Sequence, residues 1–339
     1  MISFAIMRIA SRSTLRLPVV TVNSFAALLL AVVIAEPAAA AEYPERTVKI
    51  VAPFEAGGTV DAVARFLASR LNAKWRVPVI VENRQGAGNV VGASAVAQAQ
   101  PDGYTLLFAN TSISVNPSLY KSLPYDTARD LAPVVFLSPS PNVLLAQKAL
   151  GVTTLTQLIG LAKSRKEPMT FASVGKGSFH HISMELFRIA AGVDLLHVPY
   201  KGAAPAMLAF LRGDVDLYCS DLPGAIGPIR NGDVTALAIT SAKRAATLPE
   251  IPTMTEAGLA GYAAIGYVGI MTTGGTPREV IAKINAAINE VVREPDFATH
   301  FAALGYEMTG GTVEEFATFI RDDTARYARL MQAIGGAIE

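Results

Sequence analysis

Short apolar runs alternate with segments of helical periodicity along most of this 339-residue chain. This alternation restricts the possible fold more than any other feature. Eight apolar runs predict β-strands, at Val48–Val51, Val79–Val81, Tyr104–Ala109, Val143–Ala146, Met169–Ala172, Leu195–Val198, Val215–Cys219 and Ala236–Thr240. Helices are predicted between them, at Ala62–Leu71, Thr156–Ser164, His180–Ala191 and Ala203–Arg212. Strands that alternate with helices predict an α/β fold, in which parallel sheets carry helices on both faces.

Two extended segments divide this pattern into two lobes. Leu137–Asn142 is a Pro/Ser break that leads into the next strand, and Tyr262–Met271 is a second long extended segment. We predict two parallel-containing sheets joined by these two crossing strands. Lobe 1 would comprise residues 42–141 and 266–339, and lobe 2 residues 142–265. A cleft between lobes is a common place for a ligand.

The first 41 residues have the layout of a secretory signal peptide. Three arginines, Arg8, Arg12 and Arg16, precede the apolar stretch 25–35, and small residues end at Ala41. The alternative is an uncleaved membrane anchor, but the apolar core is shorter than the ~20 residues that a span needs. We therefore expect residues 1–41 to be cleaved and the protein to be periplasmic.

Charge and cysteine content exclude some classes of function. Residues 1–41 contain three Arg and one Glu, so the formal charge of +1 becomes −1 when they are removed. A near-neutral chain has no basic footprint for nucleic acid. The single cysteine, Cys219, lies in an apolar run, which favours a buried and unreactive thiol. No cluster of residues with metal-ligand spacing is present, and we expect neither a metal nor a cofactor.

A glycine pair follows the first predicted strand. Gly57-Gly58 leads into a helix for which Thr59 is the candidate N-cap. Backbone N–H groups in such a turn, together with the helix dipole, favour a bound anion. A plain connector is an equally good interpretation from these residues alone. A P-loop is excluded, because no Gly-Lys-Ser/Thr triplet follows.

Two further glycine clusters follow predicted strands. Gly86–Gly92 is best explained as a turn with close helix packing. Gly175–His181 precedes a helix that Ser178 would cap. His181 is expected to line the cleft and His180 to cap the helix or face solvent. A hydrolase triad of Ser178, His181 and Asp221 is a weak alternative, since no nucleophile elbow surrounds the serine.

Polar residues also end two other strands. Asn110-Thr111-Ser112 follows one, and Ser220-Asp221 ends another. Open α/β sheets bind ligands at the carboxyl ends of their strands. Four polar loops, two from each lobe, share this position, and together they favour a ligand cleft over simple connectors.

Several long motifs resemble the Bug family, the extracytoplasmic substrate-binding proteins of tripartite tricarboxylate transporters. They include YPERTVKIVAPFEAGGTVDAVAR, VIVENRQGAGNVVGA, PDGYTLLFANTSISVNPSLYKSLPYD, HVPYKGAAPAM, GDVDLYCSDLPGAI, ALAITSAKRAATLPEIPTMTEAG and GGTVEEF. The resemblance extends in order from Tyr43 to the C-terminus. It implies a two-lobed periplasmic binding protein fold without catalysis, a small organic carboxylate in the cleft, and membrane permease subunits as partners of what we expect to be a monomer.

The resemblance also implies which residues bind the ligand. One carboxylate would be held by the loop Phe54–Asp61, through backbone N–H groups and ordered water, with Asp61 bracing the loop. The expected ligand-binding set is Phe54, Ala56, Gly57, Gly58, Thr59, Asp61, Asn110, Thr111, Ser112, Gly177, Ser178, His181 and Asp221.

The sequence departs from the family pattern at three positions. Ser220-Asp221 stands where Asp-Asn is frequent, Tyr267 replaces a frequent Trp, and Glu55 replaces a small residue or Pro. A carboxylate at Glu55 would oppose a second ligand carboxylate and favour an amine or hydroxyl, unless Glu55 points to solvent. An alternative function is the same scaffold acting as the ligand-sensing partner of a membrane receptor kinase.

Overall fold

The computed structural model describes residues 43–262 and 264–333. Each of the eight apolar runs lies in a strand whose ends fall within two residues of the prediction. The predicted signal peptide lies outside the described residues. From Tyr43 onward the chain forms one compact unit. Within the described part, no helix combines the length and the hydropathy that a membrane span requires.

The first sheet has five strands in the order β2-β1-β3-β10-β4. They are β1 (Val48–Ala52), β2 (Val79–Asn83), β3 (Thr105–Asn110), β4 (Leu131–Ser140) and β10 (Gly266–Thr273). Strand β1 is parallel to β2 and β3, and β10 is antiparallel to β3 and β4. Thus β10, the last strand in the sequence, lies inside the sheet.

The second sheet also has five strands, in the order β7-β6-β8-β5-β9. They are β5 (Asn142–Ala146), β6 (Met169–Ser173), β7 (Leu195–Pro199), β8 (Leu217–Asp221) and β9 (Thr235–Ile239). Strand β6 is parallel to β7 and β8, whereas β5 is antiparallel to β8 and β9. All five strands come from one continuous stretch of chain.

Both sheets are therefore mixed, and each contains parallel pairs, as predicted. Only Pro141 separates β4 from β5, so the chain passes from one sheet to the other without a crossover helix. A parallel neighbour requires such a crossover. The two strands with which the chain enters a sheet from the other sheet, β5 and β10, are antiparallel to their neighbours.

Helices cover both faces of each sheet, as predicted. They are α1 (Thr59–Trp75), α2 (Val90–Ala97), α3 (Ser112–Leu119), α4 (Thr127–Asp130), α5 (Leu155–Ser164), α6 (Phe179–Ala191), α7 (Ala203–Arg212), α8 (Leu222–Arg230), α9 (Arg278–Val292), α10 (Pro295–Ala302) and α11 (Val313–Ala333). The first sheet packs against α1, α9 and α10 on one face and α2, α3 and α11 on the other. The second packs against α5 and α6, and against α7 and α8. We call each sheet with its helices a half.

A small apolar cluster joins the two halves. Val115 and Leu119 of α3 pack with Ile182 of α6 and with Tyr327 and Met331 of α11. The long last helix thus contacts both halves beside the crossing strands.

The sequence also predicts a helix that starts at Pro277 and a capping box formed by Thr312 and Glu315, and these two predictions and that of a buried thiol at Cys219 are confirmed. Pro277 immediately precedes α9, and Thr312 and Glu315 exchange the two hydrogen bonds of a capping box before α11. Cys219 is a free and fully buried thiol, and burial raises its pKa to about 12. The thiol is therefore protonated at neutral pH and unreactive.

Candidate functional site

The carboxyl ends of four strands supply the candidate site. In the first sheet β1 and β3 are parallel neighbours, and in the second β6 and β8 are parallel neighbours. Each pair therefore ends at one sheet edge. The two edges meet: a methyl group placed on Gly202 would lie 2.8 Å from Oε2 of Glu55, and one on Gly177 would lie 2.0 Å from Leu119 Cδ2. The loops predicted to form the cleft are brought together.

In the loop after β1, Asp61 accepts three hydrogen bonds. Its carboxylate binds the Gly57 N–H (2.9 Å), Arg65 Nε (2.8 Å) and Asn83 Nδ2 (2.8 Å). Burial raises the pKa of Asp61, but the hydrogen bonds from Arg65, Gly57 and Asn83 outweigh it and hold that pKa below its ordinary value. Asp61 is 3% exposed. It braces the loop, as expected, and has no oxygen left over for a second role.

The same loop presents backbone donors. Gly57 adopts φ = 89°, a conformation that favours glycine. Within the described chain, the N–H groups of Ala56 and Gly58 donate to no acceptor, and both residues are exposed. They lie at the N-terminus of the 17-residue helix α1, where the dipole favours negative charge. Phe54 fixes the loop from below, because its ring packs edge-on against Phe108 and its carbonyl accepts from Asn83.

The prediction that Thr59 caps α1 is wrong. The Gly58 carbonyl accepts the first helical hydrogen bond, from the Ala62 N–H (3.0 Å), and Gly58 is extended (φ = −79°, ψ = 168°). Gly58 is therefore the N-cap, and no side chain caps this end. The uncapped N–H groups add to the donors available in the loop.

The loop after β3 forms a hydroxyl and amide row. Thr111 Oγ1 accepts the Tyr267 N–H (3.0 Å), which ties the loop to β10. Asn110 Oδ1 accepts from the Ser112 N–H (3.1 Å) and from Asn89 Nδ2 (3.1 Å). Among the described residues no acceptor is found for the hydroxyl hydrogens of Thr111 and Ser112, and both residues are buried.

Sequence reasoning missed Asn89. Its side chain donates to Asn110 and also to Ser112 Oγ (3.0 Å), so it orients the predicted row. Asn89 has φ = 74°, which Asn tolerates better than most residues. Its place after Gly86 and Gly88 was the available signal. That glycine cluster is a close-packed turn, as predicted, since a methyl on Gly92 would lie 2.7 Å from Pro53.

In the loop after β6 two of the backbone donors are already used. The Gly177 N–H donates to His181 Nδ1 (3.1 Å), and the Ser178 N–H donates to the Gly175 carbonyl (3.2 Å). Gly177 and Ser178 belong to the expected ligand-binding set, but in this conformation their amides are not free to bind an anion. Ser178 caps α6 as predicted, accepting the His181 N–H (3.3 Å). Its hydroxyl hydrogen is what this loop offers a ligand.

His181 is buried in a stack of aromatic rings. Its ring lies 4.0 Å from that of His197, centroid to centroid, and 6.1 Å from that of Phe171. Burial, and then the charge of Lys176, lower the pKa of His181 to about 4. Nδ1 accepts from Gly177, so the neutral ring carries its proton on Nε2. His181 supports the loop and is only 4% exposed.

The loop after β8 carries an unused carboxylate. Asp221 is the N-cap of α8, yet its side chain makes no capping hydrogen bond. Ser220 Oγ donates to the Asp221 carbonyl (3.1 Å). The Asp221 carboxylate lies 3.6 Å from His180 Nε2, and its side chain is 16% exposed. His180 therefore neither caps the helix nor faces solvent, which corrects the prediction for this residue.

The structure does not assemble a catalytic triad. Ser178 Oγ contacts the backbone of His181 and not its ring, and Asp221 lies beside His180 instead. No group of three or more His, Cys, Asp or Glu side chains in the described residues could hold a metal ion.

Comparisons with known proteins give a consistent result. Residues 63–336 match the tripartite tricarboxylate transporter family receptor (TctC). The chain is 35% identical to protein BugT of Bordetella pertussis over 308 residues, which cover 90% of this chain and 94% of BugT.

Solved structures agree with the sequence match. A structure of Rhodopseudomonas palustris Rpa4515 with adipate is 32% identical and has a TM-score of 0.82, covering 87% of this chain and 99% of that one. The periplasmic binding protein BugD is 34% identical, with a TM-score of 0.81 and coverages of 87% and 99%. MatC of the same R. palustris, with bound malate, is 30% identical, with a TM-score of 0.78 and coverages of 85% and 99%. The chain belongs to the tripartite tricarboxylate transporter receptor family, the family of the Bug proteins, and has their periplasmic binding protein fold.

Proposed function

We propose that this protein captures a small organic carboxylate between its two halves and delivers it to the membrane permease subunits of a tripartite tricarboxylate-type transporter. It acts in the periplasm as a monomer, after cleavage of residues 1–41, and without catalysis. The lobes are residues 42–141 with 266–339, and residues 142–265.

The observation that carries this proposal is the open donor set at the N-terminus of α1. The amides of Ala56 and Gly58 and the helix dipole supply positive potential, and Asp61 holds the loop in place. A carboxylate needs several such donors when it leaves water. The adipate and malate in two related structures are carboxylates of this kind.

The remaining ligand contacts come from the other loops. Asn110, Thr111 and Ser112 donate from the half that holds the anion, and Ser178 and Asp221 lie across the cleft. Gly57, Gly177 and His181 act by shaping the two glycine loops. The ligand contacts are divided between the two halves, so ligand binding should favour closure of the halves, because only a closed form contacts the ligand with both.

The test is a binding assay with adipate and malate as probes. Either one, at 100 times its Kd, should stabilise the protein by about 2.7 kcal/mol and raise its Tm. Ser112→Ala should weaken binding by up to about tenfold through loss of one hydrogen bond. Ser164→Ala, at an exposed position remote in sequence from these loops, is the control and should bind normally.

Two outcomes would contradict the proposal. One is the absence of any Tm increase with a panel of small carboxylates at large excess. The other concerns the partner: mature protein used as bait on solubilised membranes should recover permease subunits. Recovery of a receptor kinase without a permease would replace the transport function with ligand sensing.

A further inference from the structure

Asp221 holds a negative charge that no described residue neutralises. The structure gives its carboxylate neither a hydrogen bond nor a Lys or Arg partner among residues 43–262 and 264–333. Asp is a preferred N-cap residue, and an N-cap carboxylate ordinarily accepts from the first turn of its helix. Here that bond is absent, so the carboxylate remains available.

His180 beside it is also unsatisfied. Both ring nitrogens are buried without a hydrogen-bond partner, and the ring stacks on Tyr218 at 5.7 Å. A neutral imidazole has one donor and one acceptor, and leaving either of them buried and unpaired destabilises the fold. Such a group in a folded protein calls for a partner.

Two tyrosine hydroxyls border the same pair. Tyr218 lies on β8 of the second half, and Tyr306 belongs to the first half. Both hydroxyls are buried, with Ser220 beside that of Tyr218 and Ser140 beside that of Tyr306. Burial raises the pKa of both, and the charge of Asp221 raises each further, which places this carboxylate next to residues of both halves. The polar pair is therefore enclosed where the halves meet.

We propose that Asp221 and His180 form a second recognition point of the cleft, which binds a hydroxyl or ammonium group at the end of the ligand remote from its carboxylate. This inference rests on the proposed function. The ligand class is then a hydroxy- or amino-carboxylate, and an unsubstituted dicarboxylate is disfavoured.

The geometry suits a single bridging donor. Asp221 Oδ1 and His180 Nε2 are 3.6 Å apart, so one atom can lie within about 2.8 Å of both. A hydroxyl donates to Asp221 and accepts from His180. An ammonium donates to both, with the histidine proton on Nδ1. A second carboxylate would instead meet the Asp221 charge in a largely buried site, where like charges repel strongly.

The position of Glu55, on the other side of the cleft, also disfavours a dicarboxylate ligand. Its carboxylate lies against Gly202, at the N-terminus of α7, and not among the amides of Ala56 and Gly58. The first loop therefore keeps its donors for one carboxylate. Glu55 adds a further negative charge where the halves meet, which again opposes a doubly charged ligand.

Calorimetry with a matched ligand series tests the inference. The four-carbon probes are butanoate, 4-hydroxybutanoate, 4-aminobutanoate and succinate, and the six-carbon probes are hexanoate, 6-hydroxyhexanoate, 6-aminohexanoate and adipate. In the native protein the best hydroxy or amino compound should bind at least about tenfold tighter than the dicarboxylate of equal length.

Variants then assign the effect to the pair. Asp221→Asn should weaken the amino compound by about tenfold and strengthen the dicarboxylate, so that the preference largely disappears. His180→Phe keeps the stack on Tyr218 and should weaken the hydroxy compound. Asp322→Asn, an exposed acid on α11, is the control and should leave the series unchanged. Far-ultraviolet circular dichroism of each variant verifies folding.

The outcomes separate the two proposals. If succinate or adipate binds as tightly as its hydroxy and amino counterparts, or if Asp221→Asn leaves their ratio unchanged, the inference is wrong and carboxylate capture stands. If none of the carboxylates binds, the proposed function fails and the inference fails with it.

Discussion

The loops after β1 and β6 contain the same glycine turn but leave different backbone groups free. In each, a glycine with positive φ donates its N–H to the side chain four residues later, in the first turn of a helix. Gly57 (φ = 89°) donates to Asp61, and Gly177 (φ = 78°) donates to His181. The two halves thus present the same turn toward one another.

The difference lies in what remains free. Asp61 engages one amide of its loop and leaves those of Ala56 and Gly58 exposed, whereas in the loop before His181 the amides of Gly177 and Ser178 both donate within the loop. A glycine-rich turn before a helix is therefore no proof of anion binding. Whether the amides that flank the glycine are used within the loop decides the outcome, and in the loop after β1 those of Ala56 and Gly58 have no acceptor among the described residues.

Substituting the two glycines should give the largest contrast. At either position alanine would suffer a left-handed backbone strain of about 1–2 kcal/mol. A methyl on Gly57 meets no atom within 4 Å, whereas one on Gly177 overlaps Leu119 in the other half. Overpacking of that kind adds about 1–3 kcal/mol, so Gly177→Ala should lower the free energy of unfolding by about 3 kcal/mol.

Gly57→Ala, the matched control, should cost only about 1 kcal/mol. Urea denaturation measures both variants. Equal losses would mean that the contact between Gly177 and Leu119 is absent in solution, and that the two loops are energetically alike.

Removing the brace of the open loop should have the next largest effect. Asp61→Ala leaves Arg65, Asn83 and the Gly57 N–H without their acceptor, at a cost of about 2–3 kcal/mol. Asp322→Ala removes an exposed acid paired only with Arg321 and should cost less than about 0.5 kcal/mol. Chemical denaturation compares them. Equal losses in the free energy of unfolding for the two variants would mean that the hydrogen bonds of Asp61 do not stabilise the loop.

Lowering the pH should destabilise the protein through His181, which supports the loop after β6. Its pKa of about 4 in the folded state lies below the ordinary 6.5, so the unfolded chain binds more protons between these values. The contribution of His181 is complete above pH 6.5 and is lost as pH falls toward 4. It amounts to about 2–3 kcal/mol. His181→Phe should flatten the pH dependence of unfolding in that window.

His300→Gln is the control for acid sensitivity, because His300 is exposed, with its ring stacked on Phe66 and edge-on to Phe301. Its unfolding curve should keep the slope of the native protein. If His181→Phe keeps that slope as well, His181 is not the group that titrates.

The elements of the fold were predictable because their signals are local. Apolar runs of three to six residues between helical segments placed every strand of the parallel cores, such as Met169–Ser173. Strand direction at the crossings was less accessible. The antiparallel setting of β10 follows from which sheet the chain enters, and that depends on contacts between residues as distant as Asn110 and Val268.

The candidate site was predictable at the level of loops and not of atoms. Asp61 and Ser178 have the roles that their positions before or within a helix indicate. The ring of His181, which accepts the Gly177 N–H, stacks on His197, and the ring of His180 stacks on Tyr218; the orientation of both rings depends on this stacking. Those strands lie far away in the sequence, so no local pattern reports the stacking.

The position of β10 has a consequence for the order of folding. The second sheet is complete once residue 239 has been synthesised, whereas the first lacks an internal strand until residue 273. Pairing strands that are distant in sequence, such as β3 and β10, costs loop-closure entropy before any stabilising contact forms. The half that holds the open amides should therefore be the last to form. A chain truncated before Gly266 is expected to retain a folded second half and no carboxylate pocket.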